Sequence, residues 1–379
     1  MVLNKMPSPL SWPFWNSVIG FMLVGAALSV YFQKSLGGCG DYPEHFILLY
    51  EGIGIGAVFG ILFMVAFPFI PNGFIVQPVV LTLIRYYLAF IIFSYGFAKV
   101  FAGQFPHTMA NMDARFAELT PMRVAWAFFG YSKGYQQFLG WGEVVPAVLL
   151  LFRRTTLIGA LIMFVVMLNV FLVNIFFDVC VKINSGIYTA LAFYILMQEF
   201  GRLGNFFIAN KITDPRIDLT LEEPRWLKIG GLIVTYLLLG YIIYTTGDTA
   251  INYYKYSKTQ VTPTSVQGAW RTVAVQEENN QQWKPLAQTD SLFVDRLFFD
   301  GFNGVIKSDF IRDRFRFSID SATHQLTVNF TNLRNEWNIP PVTWRYEKPS
   351  VDSLHVWGVW KGKSLMMKCV MRKEKLTRY

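Results

Sequence analysis

Seven apolar runs stand out along the first two thirds of the chain, near residues 14–32, 46–70, 78–101, 138–152, 155–176, 184–200 and 229–246. Each approaches the ~20 residues a helix needs to cross a ~30 Å hydrocarbon layer, so the pattern predicts about seven membrane spans. After residue 258 the period changes. RTVAVQ, SLFVDRLFFD, RFRFSID, HQLTVNF, SLHVWGVW and SLMMKCVMRK alternate apolar with polar positions, and DGFNG, DSAT and WKGK separate them as turns. Alternation turns one side of each strand toward a core, and about eight short strands predict a small antiparallel barrel or sandwich. The expected fold class is thus a polytopic α-helical membrane protein with a C-terminal all-β domain.

Composition agrees: charged residues make up 16% and aromatics 17% of the chain, and mean hydropathy is +0.34, a departure from soluble domains toward membrane proteins. The net charge of +9 is shared by both parts. With no basic run interleaved with aromatics, it does not point to nucleic acid. The first apolar run lacks a charged n-region and a small-residue cleavage site, which makes it a retained span. Arg153 and Arg154 fall between the fourth and fifth runs, and Arg202, Lys211, Arg216, Arg225 and Lys228 between the sixth and seventh. The positive-inside rule puts both loops in the cytoplasm; the N-terminus is then inside and residues 259–379 outside. The expected divisions are two N-terminal spans (1–77), a four-span segment (78–205), a cytoplasmic loop with the seventh span (206–258) and the β domain (259–379). Between the third and fourth runs, Met109, Met112, Phe116 and Leu119 recur at helical spacing with Asp113, Arg115 and Glu118 among them. That is the pattern of an amphipathic helix, lying on the outer membrane surface or packed on its own bundle.

The third run, RYYLAFIIFSYGFAKVF, carries a charge at each end. An ionised side chain in hydrocarbon costs roughly 2.5–3.5 kcal/mol on insertion scales, so Arg85 and Lys99 need partners. Their separation places them about 40° apart around a helix and ~21 Å apart along it, on one face at opposite depths. At the depth of Lys99 the sequence offers Glu143, Asn174, Asp178 and Glu51. At the depth of Arg85 it offers Glu199, with Arg202 beside it. The expectation is an outer cluster of Lys99 with Glu143 and Asp178, joined by Asn174 and Glu51, and an inner pair of Arg85 with Glu199. Two readings of the outer cluster stand: ion pairs that only fix helix register, or a site for a substrate, a quinone or a partner.

These residues carry a resemblance. Residues 79–205 resemble the DoxX family of small four-span membrane proteins: an Arg-bearing span ending in SYGFAKVF, then GWGEVVPAVLLLF with the basic turn RRTT, a Met- and Asn-rich span, and a last span closing in FGRLG. The matching positions are Arg85, Gly96, Lys99, Gly140 and Glu143. The resemblance implies an inner-membrane bundle linked to quinone-dependent sulfur oxidation and other thiol or oxidant chemistry, as an accessory subunit. This chain departs from the pattern by two spans before it and by a seventh span and a domain after it. The start of the β domain, QGAWRTV, resembles the Gly-x-Trp opening of lipocalin-like barrels, which implies closure by Gly268 and Trp270 with Arg372 covering the indole. Such barrels hold one small lipophile or are filled by their own side chains.

Other chemistry is sparse. His45, His107, His324 and His355 have no metal-ligand spacing, and no phosphate loop or nucleophile elbow occurs. Cys39, Cys180 and Cys369 contain no Cys-x-x-Cys; by the topology above all lie outside, where disulfides persist, and two readings stand: Cys39 meets Cys180 as a structural bridge or redox pair, or, the commoner fate, the cysteines are free or merely packed. The expected protein is a bacterial inner-membrane component, accessory or redox-linked, with quinone as the candidate cofactor, acting on the periplasmic side. The alternative is a non-enzymatic scaffold or lipophile-binding module. Expected partners are membrane lipids, a membrane or periplasmic protein, and a lipophilic ligand of the barrel.

Overall fold

The computed structural model describes residues 11–33, 41–69, 76–101, 103–105, 108–211, 225–259, 265–279, 281–308, 312–330 and 340–371. The chain forms two compact units. The first comprises Met1–Gln104, Thr120–Ala125 and Lys133–Tyr253; the second comprises Phe105–Leu119, Trp126–Ser132 and Tyr254–Tyr379. Ten α-helices are described: α1 (Trp12–Gln33), α2 (Pro43–Ala66), α3 (Val76–Val100), α4 (Met109–Met112), α5 (Pro121–Tyr131), α6 (Lys133–Leu151), α7 (Thr156–Phe176), α8 (Lys182–Met197), α9 (Phe200–Phe207) and α10 (Arg225–Thr259). Four of these segments, α1, α2 with its 3-10 extension to Phe69, α3 and α7, are long and apolar enough to cross a membrane.

In the helical unit, α3 packs against α6, α1 against α2, and α7 against α8, around a core that includes Leu88, Ile92, Ala147, Leu150, Met163 and Leu191. Helix α2 leaves most of its surface uncovered: Ile47, Ile55, Val58, Phe59 and Leu62 are exposed, an outward face suited to hydrocarbon. Its inward face is a ridge of small residues. A Cβ at Gly52 would lie 2.5 Å from the Gly25 carbonyl oxygen, one at Gly56 2.3 Å from that of Phe21, and one at Gly60 2.8 Å from Val18 Cα. Gly52, Gly56 and Gly60 form two successive small-xxx-small repeats, which let backbones meet where lipid supplies no hydrophobic drive between helices.

Nine strands follow: β1 (Gly268–Asn279), β2 (Gln282–Pro285), β3 (Arg296–Asp300), β4 (Asn303–Lys307), β5 (Arg312–Asp320), β6 (Gln325–Phe330), β7 (Val342–Ser350), β8 (Ser353–Trp360) and β9 (Lys363–Met371). All pairings are antiparallel, and β1 pairs with β9 as well as with β3, so eight strands close into a barrel. The register irregularity between Thr272 and Ala274 bends β1. Its first residues pair with β3, while Gln276–Asn279 pair with the short β2. Lys361 and Gly362 both have positive φ, 51° and 75°, the backbone of a two-residue hairpin loop whose twist matches its strands.

The strand alternation meets one buried cluster that includes Trp270, Phe299, Phe315, Phe317, Trp344 and Leu365. Two glycines make room for the rings: a Cβ at Gly304 would sit 2.1 Å from Phe315 Cζ, and one at Gly358 would sit 2.1 Å from Trp344 Cδ1. The barrel's inward side chains therefore converge on one another.

The segment expected on the membrane surface or on the helical bundle belongs instead to the barrel unit. Ala110 is buried with Ala269 and Phe298, with Met109 and Val305 beside them. The Met109 amide donates to Asp300 Oδ2 at 3.2 Å, and Arg312 Nη2 donates to Asn111 Oδ1 at 2.8 Å. Arg296 meets Asp113 directly, and Lys307 meets Glu118 at 2.9 Å. The helix is only Met109–Met112, N-capped by Thr108. Asp113 and Glu118 answer basic residues of β3 and β4, and Asn111 answers Arg312 of β5, which the local pattern could not reveal.

Candidate functional site

Arg85 and Lys99 both turn toward α6, where their partners differ in kind. Lys99 Nζ donates to both carboxylate oxygens of Glu143 at 2.6 Å, and the two residues are 5% and 2% exposed. Each charge sits three residues after a glycine, Gly96 on α3 and Gly140 on α6. A Cβ at Gly140 would fall 2.7 Å from Gly96 O and from Val100 N, and one at Gly96 would fall 2.6 Å from Val144 Cγ2. Backbone contact at this glycine pair brings the helices close enough for the short, two-oxygen bridge. At the other end of α3, Arg85 Nε and Nη2 donate to the Leu150 carbonyl at 3.1 and 2.9 Å, and Nη2 reaches Leu151 O at 3.4 Å. These carbonyls end α6, where they lack intrahelical donors and carry the negative end of the dipole. The guanidinium thus caps a helix inside the bundle.

The other expected members lie elsewhere. Glu199 pairs with Arg202 at 2.8 Å, while Arg85 donates to the carbonyls at the end of α6. Asp178 is exposed and accepts from Lys182 at 2.8 Å. Asn174 is buried but donates to Ser185 Oγ at 2.9 Å, between α7 and α8. Glu51 is on the exposed side of α2. Depth along a span is legible in sequence; direction around the helix depends on which neighbours it packs against. The outer cluster is thus the Lys99–Glu143 pair alone among those candidates.

Polar neighbours not expected from the sequence surround it. The Lys99 ammonium lies 6.0 Å from the Tyr95 ring centroid. Tyr188 hydrogen-bonds with both Tyr95 and Tyr87, linking three hydroxyls within the bundle, and Tyr87 donates onward to Ala27 O at 3.0 Å. A second polar layer joins α1, α3 and α8. Asn16 and Gln198 exchange two amide hydrogen bonds of 2.9 Å, Tyr194 donates to Asn16 O at 3.0 Å, and Gln77 donates to Tyr194 at 2.6 Å. The sequence signal for both layers was tyrosine and amide side chains at helical spacing within apolar runs.

Cys180 is disulfide-bonded and Cys369 is a free buried thiol; Cys39 lies outside the described residues. Beside Cys180, Asp41 accepts from the Lys182 and Ile183 amides at 3.1 and 3.2 Å, which caps the start of α8 with negative charge.

In the barrel, Gly268 has φ 146°, a backbone that side chains rarely adopt, and Trp270 Nε1 donates to Val266 O at 2.8 Å. The expected cover, Arg372, lies outside the described residues, as does His107. The cation found over the Trp270 ring is Lys348, 6.0 Å from the centroid and donating to Ser265 O at 3.1 Å. Among the described residues no group of His, Cys, Asp and Glu is arranged to hold a metal ion.

Fold and site together define a helical protein with membrane-type helices, a buried intrahelical-bundle ion pair and a closed β-barrel in the same chain. Over 115 residues it is 40% identical to the uncharacterized protein YwoB of Bacillus subtilis (strain 168), a match covering 30% of this chain and 73% of that protein. The chain belongs to the YwoB family. No family model and no solved structure matches it.

Proposed function

We propose that the protein is a seven-span inner-membrane component with its N-terminus inside and its barrel in the periplasm, serving as an accessory, redox-linked member of a quinone- or thiol-handling system. The observation that carries the reading is the Lys99–Glu143 pair. It is a charge pair almost closed to solvent, 2.6 Å long on both oxygens, with the Tyr95 ring 6.0 Å from the ammonium. Buried ion pairs are weak sources of stability, and intramembrane charges mark working sites by default. The DoxX resemblance at Arg85, Gly96, Lys99, Gly140 and Glu143 supplies the chemical class. Organic extracts of the purified protein, analysed by mass spectrometry, are expected to contain quinone in stoichiometric amount from the parent and much less from a Lys99→Met/Glu143→Gln variant. Equal, trace amounts from both would end the redox reading.

The second reading, a scaffold that recruits partners through its barrel, is favoured by a different observation. The barrel's inward rings fill against one another, and four polar contacts hold residues 109–118 on its outer wall. A reporter active only outside the cytoplasm tests the topology on which both readings rest. It is expected to work after Tyr379 and to fail after Arg154; the reverse pattern would move the barrel to the cytoplasm.

A further inference from the structure

A cavity of about 300 Å³ lies between α1, α2, α3, α8 and α10, at the end of the bundle that holds Lys99. Three of its lining side chains carry polar atoms that are buried without a hydrogen-bond partner: Gln33 Oε1, His45 Nδ1 and Asn184 Oδ1. Gln33 and His45 are only 5% and 3% exposed. Leaving such atoms unmatched carries the desolvation penalty of a buried polar group, so their gathering on one wall calls for an occupant. The orientation of Gln33 is fixed, because its Nε2 donates to His45 O at 3.2 Å and leaves Oε1 as an acceptor facing the cavity. His45 Nδ1 either donates or accepts according to its tautomer.

The rest of the lining defines the occupant's body. Val30, Phe90, Ile91 and Val181 make an apolar wall, and the Tyr95 and Tyr188 rings stand beside it. Among the described residues no Asp, Glu, Lys or Arg lines the space; an ion there would be desolvated with no counter-charge from them. The volume is at the small end of ligand pockets and about twice that of an engineered cavity that holds benzene. Water would answer the polar wall and leave the apolar one wetted.

We propose that this cavity binds a small uncharged molecule with a hydroxyl group on an apolar, ring-sized body. The hydroxyl donates to the amide oxygens of Gln33 or Asn184 and exchanges a hydrogen bond with His45, while the body rests on Phe90 and Ile91. A hydroxyl suits this wall because it donates once and accepts twice. The cavity shares Tyr95 and Tyr188 with the tyrosines beside Lys99, but the inference does not require the redox reading, since neither Lys99 nor Glu143 lines it.

The test uses the full-length protein in detergent with two probes of one shape, phenol and its methyl ether anisole, which cannot donate. Saturation-transfer NMR with titration is expected to give saturable phenol binding at least tenfold tighter than anisole. Gln33→Leu and His45→Phe are each expected to weaken phenol at least fivefold and to narrow its advantage over anisole. Ser94→Leu, which fills the space from α3, should abolish both, and it serves in place of either variant that loses its thermal transition. Equal binding of phenol and anisole would overturn the hydroxyl assignment. Phenol binding that does not saturate, or that Ser94→Leu leaves intact, would show partition into detergent or a solvent-filled cavity and overturn the site.

Discussion

Removing one member of the Lys99–Glu143 pair tests the central contact of the bundle. Lys99→Met leaves the Glu143 carboxylate without its cation in a space where both residues are 5% exposed or less, and Glu143→Gln leaves the ammonium. Because both carboxylate oxygens are engaged at 2.6 Å, each loss falls in the range of broken buried pairs, about 3–5 kcal/mol. The double variant has no unmatched charge and should recover most of that cost, giving a coupling of about 2–4 kcal/mol by the same reasoning. An internal control is close by. Asp178→Asn breaks only the bridge between Lys182 and the Asp178 carboxylate, whose side chain is 80% exposed; exposed pairs contribute about 0–1 kcal/mol. Reversible unfolding in mixed micelles, read by circular dichroism, measures all four changes. Additivity of the two single variants to within about 0.5 kcal/mol, or a control as costly as Lys99→Met, would refute the argument that a dry, helix-bridging pair is held here.

Further tests address the packing and the barrel. Gly56→Leu should loosen α1 from α2, at a cost of about 1–3 kcal/mol or more for overpacking, because even a Cβ would lie 2.3 Å from Phe21 O; unchanged unfolding would remove the small-residue ridge as the cause of that packing. Trp270→Ala should cost about 3–5 kcal/mol as a large core deletion, measured on the barrel's unfolding transition, and a neutral variant would mean that the ring does not close the barrel end. The Lys307 hydrogen bond is the main cause holding Glu118 below the usual carboxylate range. Its contribution is complete above about pH 4.3 and is lost as pH falls through the lower, folded value. Hydrogen exchange in residues 109–118, corrected for intrinsic rate, should therefore rise on acidification in the parent and change less in Glu118→Gln; identical profiles would exclude this pair as the pH-sensitive contact. Burial pushes the Cys369 thiol up to about 12. The thiol form favours the fold below its ordinary value of about 8.5, and that support fades as pH rises toward the folded value. Maleimide labelling of Cys369 at pH 8 should await unfolding, and fast labelling of the native protein would contradict its burial.

Some features of this protein are local and were therefore legible in its residues. Twofold alternation identifies strands because successive side chains point to opposite faces, and the RFRFSID and HQLTVNF patterns return as the paired strands β5 and β6. Helical geometry alone put Arg85 and Lys99 on one face, and both turn toward α6. Partners are another matter. Four acidic or amide residues shared Lys99's depth, and only packing decided that Glu143 faces it while Asp178 faces solvent and Asn174 meets Ser185. Arg85 also donates to backbone carbonyls of α6, groups every residue carries and no sequence marks. The glycines of α2 and the Gly96–Gly140 contact were visible as letters, but a glycine has a packing role only when another backbone reaches it. Residues 109–118 read as an amphipathic helix for a membrane or a bundle, since amphipathicity says that a face is covered and not what covers it. The barrel wall and its Arg296, Lys307 and Arg312 are nearly two hundred residues away along the chain, a distance that only the tertiary structure closes.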